Sequence, residues 1–328
     1  MTRQATADTA ANAPLPPTPD SHGKRPKVIY VMGAGHSGST VLGVVLGNCA
    51  GFAYAGEVEE WLTMSGTPAV GGVERNEFWK TVREEMAGAG AQELFGGGAN
   101  RSIERSSALL RIDNWSTRRK IRADYRRVTE ELFRVIANTA GANQIVDTSH
   151  FPLRARELQK LSGLELFLVF LVRDPQDVVA SNVRDISRHE VAERRIRILA
   201  MNANIWLTQL LSTIVFLAQP RRRRVFVRHE DFLADPEGVT RQVLDSLGFD
   251  AEVPDLDSLR VAIALEGNKL ITSDSIAVRR SNRQVVRWSR LTQLIQLCWV
   301  PVLSRLRPVA AARLERVSEP PLAPRRSE

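Results

Sequence analysis

The stretch that most constrains this chain is Leu164 to Val172 (L-E-L-F-L-V-F-L-V), its most apolar segment. A run of this kind reads as a central strand of a parallel sheet, where both faces are covered and no alternation with solvent survives. Lys27 to Met32 (K-V-I-Y-V-M) is short, β-branched and apolar and reads as another buried parallel strand. Shorter strands are expected at Phe52 to Ala55, Gln144 to Val146 and Arg224 to Arg228. Helical patterns lie between them, at about 39–48, from Glu57, and at 76–87, 104–111, 118–138, 153–161, 175–187, 190–218 and 236–247. Strands alternating with helices imply right-handed β-α-β crossovers, hence an α/β fold with a central parallel sheet flanked by helices.

The 328 residues admit two domains by length, but one α/β domain with insertions is equally compatible and is the expectation here. Residues 1–26 and 311–328 are poor in large apolar groups and read as disordered tails. The tail at 1–26 lacks the charged and apolar regions of a secretory signal. Residues 27–310 are then the folding part, with a glycine-rich insertion at 88–98. Only two cysteines, Cys49 and Cys298, exclude a disulfide framework and a cysteine zinc site. No unbroken run of about 18 apolar residues is present, so no spanning helix is expected. The formal net charge is +8, and only six of the 45 Lys and Arg are lysine. An arginine excess suits a phosphate-rich partner, and equally the codon usage of a GC-rich genome. No basic stripe interleaved with aromatics points to nucleic acid.

After the first strand stands Gly33-Ala34-Gly35-His36-Ser37-Gly38-Ser39-Thr40. As a dinucleotide fingerprint it lacks the acidic strand end about 20 residues later. As a nucleoside triphosphate loop it has Ser39 where lysine must neutralise the terminal phosphates. The geometry still serves an anion: strand, a turn of backbone N–H groups, helix N-terminus. Gly35, His36, Ser37, Gly38, Ser39 and Thr40 are therefore candidate phosphate ligands. Arg173-Asp174-Pro175 follows the apolar strand directly, with Ser181 eight residues after Arg173. Pro175 suits a helix start, and Arg173 then sits at the carboxyl end of a parallel strand, where α/β sheets bind ligands. Arg173 and Ser181 are candidates for a second phosphate.

These two motifs resemble those of sulfotransferases. The loop is similar to their 5′-phosphosulfate loop, G-x-x-[RK]-S-G-[ST]-[TS], and Arg173 to Ser181 resembles R-[DN]-P-x-D-x-x-x-S at the same spacing. Gly56-Glu57, Arg228-His229-Glu230-Asp231-Phe232 and Glu266-Gly267-Asn268 are similar to further motifs of the bacterial and carbohydrate members. The resemblance implies a P-loop-like sulfotransferase fold and the co-substrate 3′-phosphoadenosine 5′-phosphosulfate (PAPS), used without a metal. It implies transfer to a hydroxyl of a carbohydrate, glycolipid or secondary metabolite. Arg279 and Arg280 lie where a C-terminal lid of the family covers the donor.

The family's loop Arg or Lys is His36 here. A histidine stabilises the leaving phosphate when protonated, or donates one N–H when neutral, which implies a stronger pH dependence than Arg would show. For the general base, His150 matches in part the H-L-P of cytosolic members, and Glu57 the carboxylate of carbohydrate members, with Asp147 a further candidate. Asp147 also reads as a cap on the following helix. His229 and Glu230-Asp231 read as support for the strand end beneath the donor site. Acceptor contacts are expected from the insertion at 66–115 and the helices at 118–138 and 190–205. The basic residues from Arg118 to Arg127 read as a solvated helix face, or as a greeting for an anionic acceptor. Residues 291–306, apolar with flanking arginines, read as a core-closing helix or a membrane-interface segment at a cytoplasmic, peripheral location. Two other classes stay open: a magnesium-dependent small-molecule kinase with a degenerate loop, and a non-catalytic nucleotide- or membrane-binding protein.

Overall fold

The computed structural model describes residues 25–64, 72–90, 98–111, 114–186, 191–261, 263–265, 274–279 and 290–306. The expected tails, apart from Arg25 and Pro26, lie outside the described residues, as do most of the glycine-rich insertion, Arg280 and Glu266-Gly267-Asn268. In chain order the main elements are β1 (Lys27–Gly33), α1 (Ser39–Gly47), β2 (Phe52–Gly56), α2 (Val58–Thr63) and α3 (Val73–Glu85). Then come α4 (Asn114–Ala140), β3 (Gln144–His150), α5 (Pro152–Leu158), β4 (Glu165–Val172), α6 (Pro175–Ile186) and α7 (Val191–Ala218). After these follow β5 (Arg224–Arg228), α8 (His229–Ala234), α9 (Pro236–Leu247) and, near the end, α10 (Arg290–Gln296).

The five strands form one sheet in the order β2-β3-β1-β4-β5, every pairing parallel. Alternation along β1 and β4 explains why both read as continuously apolar. Val28, Tyr30, Met32, Leu166, Leu168 and Phe170 face one core, shared with α2, α3 and α4. Ile29, Val31, Phe167, Val169 and Leu171 face the other, shared with α1 and α9. A strand buried on both faces has no position to give to a polar residue.

Three expectations are corrected. The helix expected at 104–111 is a single turn, Arg101–Glu104, followed by a 3-10 helix, Ser106–Leu110, because Arg105 is extended. The strand expected at 144–146 runs on to His150, through the polar Asp147-Thr148-Ser149, all three buried. Among the described residues one helix, Ile196–Ala218, is long and apolar enough to cross a membrane, with a mean hydropathy of 1.4. Scattered polar residues hid it from a search for unbroken apolar runs, and it seats Ile205, Val215 and Phe216 in the protein. In the segment 291–306, Trp299 is buried while Leu294 and Leu297 are exposed.

The polar end of β3 is tolerated because each of its groups is met. Asp147 accepts from the N–H and hydroxyl of Ser149 through one oxygen, and from Nε and Nη2 of Arg154 through the other, at 3.3 and 3.2 Å. Arg154 Nη1 donates to Glu104 at 2.8 Å and to the Tyr125 hydroxyl at 2.9 Å. Glu104 also accepts from Tyr125 and from Asn100, which in turn bonds Thr63. Thr63 donates to Glu59, whose own N–H donates to Ser149. Arg154, Asp147 and Glu104 are fully buried, so this network ties β3, α2, α4, α5 and the 101–104 turn at one point. Asp147 is thus an ion-pair partner of α5 rather than its cap, since no side chain caps that helix.

Arg154→Met is expected to destabilise the protein by about 3–5 kcal/mol, because two buried carboxylates lose their counter-charge. Neutralising those carboxylates in the same chain, by Asp147→Asn and Glu104→Gln, recovers part of the loss. Urea unfolding midpoints check both outcomes.

Candidate functional site

The site forms where the sheet's connections change direction, between β1 and β4. Crossovers leave in opposite directions there and open a crevice at the carboxyl ends of the strands. The loop after β1 and the Arg173-Asp174 turn after β4 flank it. Gly33 allows the approach: a Cβ on it would stand 2.2 Å from the carbonyl oxygen of Leu171 on β4.

The loop turns into α1 at Gly38, which has a left-handed φ of 88° and forms the helix start with no side-chain cap. The first amides of α1 have no intrahelical partners and no side-chain cap at this end, the arrangement that suits an anion at a helix N-terminus. Ser37 is buried and its hydroxyl has no protein partner. An orphaned hydroxyl beside uncapped helix amides fits a phosphate oxygen. Across the crevice, Arg173 Nη1 donates to the backbone oxygen of His36 at 3.0 Å, joining the glycine loop to the Arg173-Asp174 turn. The Arg173-Asp174 turn is held from below, where Glu230 accepts from the N–H of Asp174 at 2.9 Å. His229 lies directly under Gly38: a Cβ there would stand 2.4 Å from its ring. Burial, and secondarily the charge of Arg173, lowers the His229 pKa to about 4, so its ring is neutral at ordinary pH. Ser181 sits two turns into α6 and partly exposed.

His36 and His150 are the two non-glycine residues with positive φ among those described, at 63° and 54°. Such conformations store strain and concentrate at functional sites. At His150 the cause is a register shift. Tyr30 and Met32 of β1 pair with Asp147 and His150, so β3 carries one residue more than its partner. A bulge of this kind re-aims the side chain that follows it. His150 turns towards the loop: a Cβ on Gly35 would stand 3.9 Å from its Nε2. Burial lowers its pKa to about 4, with Arg105 and His36 adding to the effect and a backbone bond to Thr148 opposing it. A neutral imidazole is a proton acceptor.

His150 and His36 together line a pocket of about 270 Å³, with Arg105 and Ser106 on one wall and Met201 and Asn204 of α7 on another. Arg105 stacks 5.6 Å over the Phe151 ring, and its Nε is buried without a partner. Residues of α4, expected to contact the acceptor, do not line this pocket.

Glu57 follows Gly56 at the end of β2 and lies outside the pocket lining. Its pKa is pushed up to about 7, by burial first and then by Glu60 and Asp147. Glu59 rises to about 8, again chiefly by burial and then by Glu104. The carboxylates of Glu57, Glu59 and Glu60 lie within 4.8 Å of one another. Arg279 is exposed, and no hydrogen bond or ion pair ties it to the loop among the described residues.

Reasoning from sequence expected acceptor contacts from the segments 66–115 and 190–205 but singled out neither Arg105 nor Asn204, and it missed Glu104 and Arg154. Arg105 and Asn204 belong to no motif, and their convergence is tertiary. Arg154 stands seven residues after Asp147, and an Arg behind a strand-end Asp was a signal available for reading.

Residues 26–253 match the model of the sulfotransferase family. No curated protein matches the chain in sequence. Among solved structures, it is similar to the sulfotransferase domain from the curacin biosynthetic pathway at 17% identity and a TM-score of 0.46, covering 83% of this chain and 97% of that one. The sulfotransferase domain from the Synechococcus PCC 7002 olefin synthase aligns at 18% identity and 0.42, over 70% and 76% of the two chains. A sulfotransferase from Mycobacterium tuberculosis H37Rv aligns at 14% and 0.43, over 69% and 68%.

Gly38→Ala is expected to cost roughly 1–2 kcal/mol for the left-handed backbone alone, and more for the contact with His229. His229→Ala in the same chain relieves the contact but not the backbone cost. Unfolding midpoints of the two variants separate the contributions.

Proposed function

Because the chain belongs to the sulfotransferase family, matching its model over residues 26–253, we propose that it transfers the sulfuryl group of PAPS to an acceptor hydroxyl. The acceptor class is a small molecule, carbohydrate or glycolipid. The observation that supports this reading is the Arg173 bond to the His36 carbonyl, which joins the two candidate anion-binding elements on one crevice. A donor with a phosphosulfate at one end and a 3′-phosphate at the other needs two such elements. Ser39 in place of lysine speaks against a magnesium-bound triphosphate.

In this reading the loop amides with Ser37, Ser39 and Thr40 hold the 5′-phosphosulfate. Arg173 and Ser181 hold the 3′-phosphate, and Arg279 and Arg280 are candidates to close over it. The acceptor oxygen attacks sulfur in line. The new O–S bond forms as the bond from sulfur to the 5′-phosphate oxygen breaks, and adenosine 3′,5′-bisphosphate leaves with the electron pair. His36 and the loop amides stabilise the charge that develops on that phosphate. No metal ion takes part. Residues 27–310 act as one catalytic domain.

The hydroxyl proton goes to His150. Two observations support it over Glu57: His150 lines the same pocket as the loop, and its imidazole is held neutral. Arg154 and Asp147 do not receive the proton but hold the strand end that presents His150.

Calorimetric titration tests the donor. Tight, metal-independent binding of adenosine 3′,5′-bisphosphate, weakened at least tenfold by Arg173→Ala, is expected. Binding of ATP alone, and only with magnesium, would overturn the reading in favour of a kinase. The pH profile tests the base. A base works only when deprotonated, so with His150 the activity holds from neutral pH down and falls through about pH 4. His150→Ala then lowers kcat by about 10²- to 10⁴-fold. An acid limb near pH 7 that Glu57→Gln abolishes would assign the proton to Glu57, whose pKa lies there.

A further inference from the structure

A second cavity, of about 290 Å³, opens between the first turns of α4 and the outer side of α5. Arg118, Arg119 and Arg122 reach it from α4, and Arg156 and Lys160 from α5 and the turn beyond it. The one carboxylate on its wall, Glu157, is already committed. Nε and Nη2 of Arg126 donate to it at 2.8 and 2.6 Å, and Arg122 Nε stands 3.4 Å away. Arg118 is 8% exposed, and its Nε is buried with no partner. Arg119, Arg156 and Lys160 have no ion-pair partner among the described residues.

A solvated helix face accounts for the exposed Arg119, but not for the buried Arg118. Solvated cations spread apart and keep their donors in water, whereas here a guanidinium is buried with an unmet N–H among like charges. Burial and the neighbouring arginines lower the pKa of Arg118, and burial lowers that of Lys160 too. The cations repel one another, and Glu157, the one carboxylate that opposes this for Arg118 and Lys160, is already bonded to Arg126.

We propose that this cavity is a second anion site, separate from the donor loop, and that it takes a phosphate or sulfate oxyanion. Planar guanidinium groups on two helices match such a group bidentately. The site adjoins the catalytic pocket. Leu109 and Leu153 line the cavity, whereas Ser107 and Phe151, two residues earlier on each segment, line the pocket of His150. An acceptor already bearing a phosphate or sulfate group would be held here by its charge with its hydroxyl towards His150. This role in acceptor recognition rests on the proposed transferase activity, but the binding of an oxyanion does not.

The experiment uses the full chain with the donor loop filled by excess adenosine 3′,5′-bisphosphate. Inorganic phosphate is then titrated and followed by calorimetry and by the change in total tryptophan emission, to which Trp115 on the cavity wall contributes. One further phosphate is expected to bind and to be weakened at least tenfold in the double variant Arg156→Gln/Lys160→Gln. Both side chains are exposed, so the variant folds, as circular dichroism checks. No phosphate binding beyond the donor loop, or binding that the variant leaves unchanged, overturns the proposal. If the bisphosphate itself does not bind, the donor reading fails. The comparison of wild type with variant then still reports on the second site.

Acceptors in matched pairs, with and without a phosphate ester, identify the source of the oxyanion. A variant that raises KM for the phosphorylated member alone, at unchanged kcat, places the group on the acceptor. Free phosphate that changes turnover of the neutral member in wild type but not in the variant makes it a separate effector. The second response, or the absence of both, overturns the role in acceptor recognition.

Discussion

Arg154, fully buried between Asp147 and Glu104, is the interaction on which the rest of the structure depends. A guanidinium and two carboxylates taken from water are costly unless each charge meets another and each N–H an acceptor. Here the fork of Arg154 is satisfied by Asp147, Glu104 and Tyr125 together. The geometry leaves little freedom, because the partners come from β3, from α4 and from the short turn at 101–104. Moving any of them leaves a charge without its complement. The polar end of β3 can therefore run inside the protein as far as His150.

The functional consequence lies in backbone conformation. The bulge that brings Ser149 onto Asp147 leaves His150 at a φ of 54°, and the loop leaves His36 at 63°. Neither is a conformation a histidine prefers, and both persist because the surroundings over-determine them. Arg173 on the His36 carbonyl does this on one side. The Tyr30 hydroxyl on the Phe151 carbonyl, at 2.9 Å, does it on the other. Two strained histidines then face one pocket, one from the loop after β1 and one from the end of β3.

Burial sets the charges in this region against the character of the whole chain. The chain carries a formal charge of +8, yet His150 and His229 are held neutral and Glu57 and Glu59 are pushed towards the protonated form. Desolvation is the first cause in all four. Positive charge is instead carried by arginines: Arg173 at the loop, Arg105 in the pocket, and the cluster between α4 and α5. The division is physical, since a guanidinium keeps its proton where an imidazole gives it up.

Much of this was legible in order along the chain. Apolar runs such as Leu164 to Val172 determined a parallel sheet, because only a strand covered on both faces tolerates them. The glycine loop and Arg173 to Ser181 marked two candidate anion-binding turns, because each sets specific residues at fixed offsets after a strand. The extent of β3 was not legible, since Asp147-Thr148-Ser149 looks like a loop until Arg154 and Glu59 are seen to meet it. Tertiary structure alone decided that His150 rather than Glu57 faces the pocket. It alone brought Arg105 and Asn204 there, and turned a basic helix into one wall of a cavity. Local sequence specifies periodicity and turns, which are short-range. Which buried charge finds a partner depends on segments dozens of residues apart, and only the folded chain brings them together.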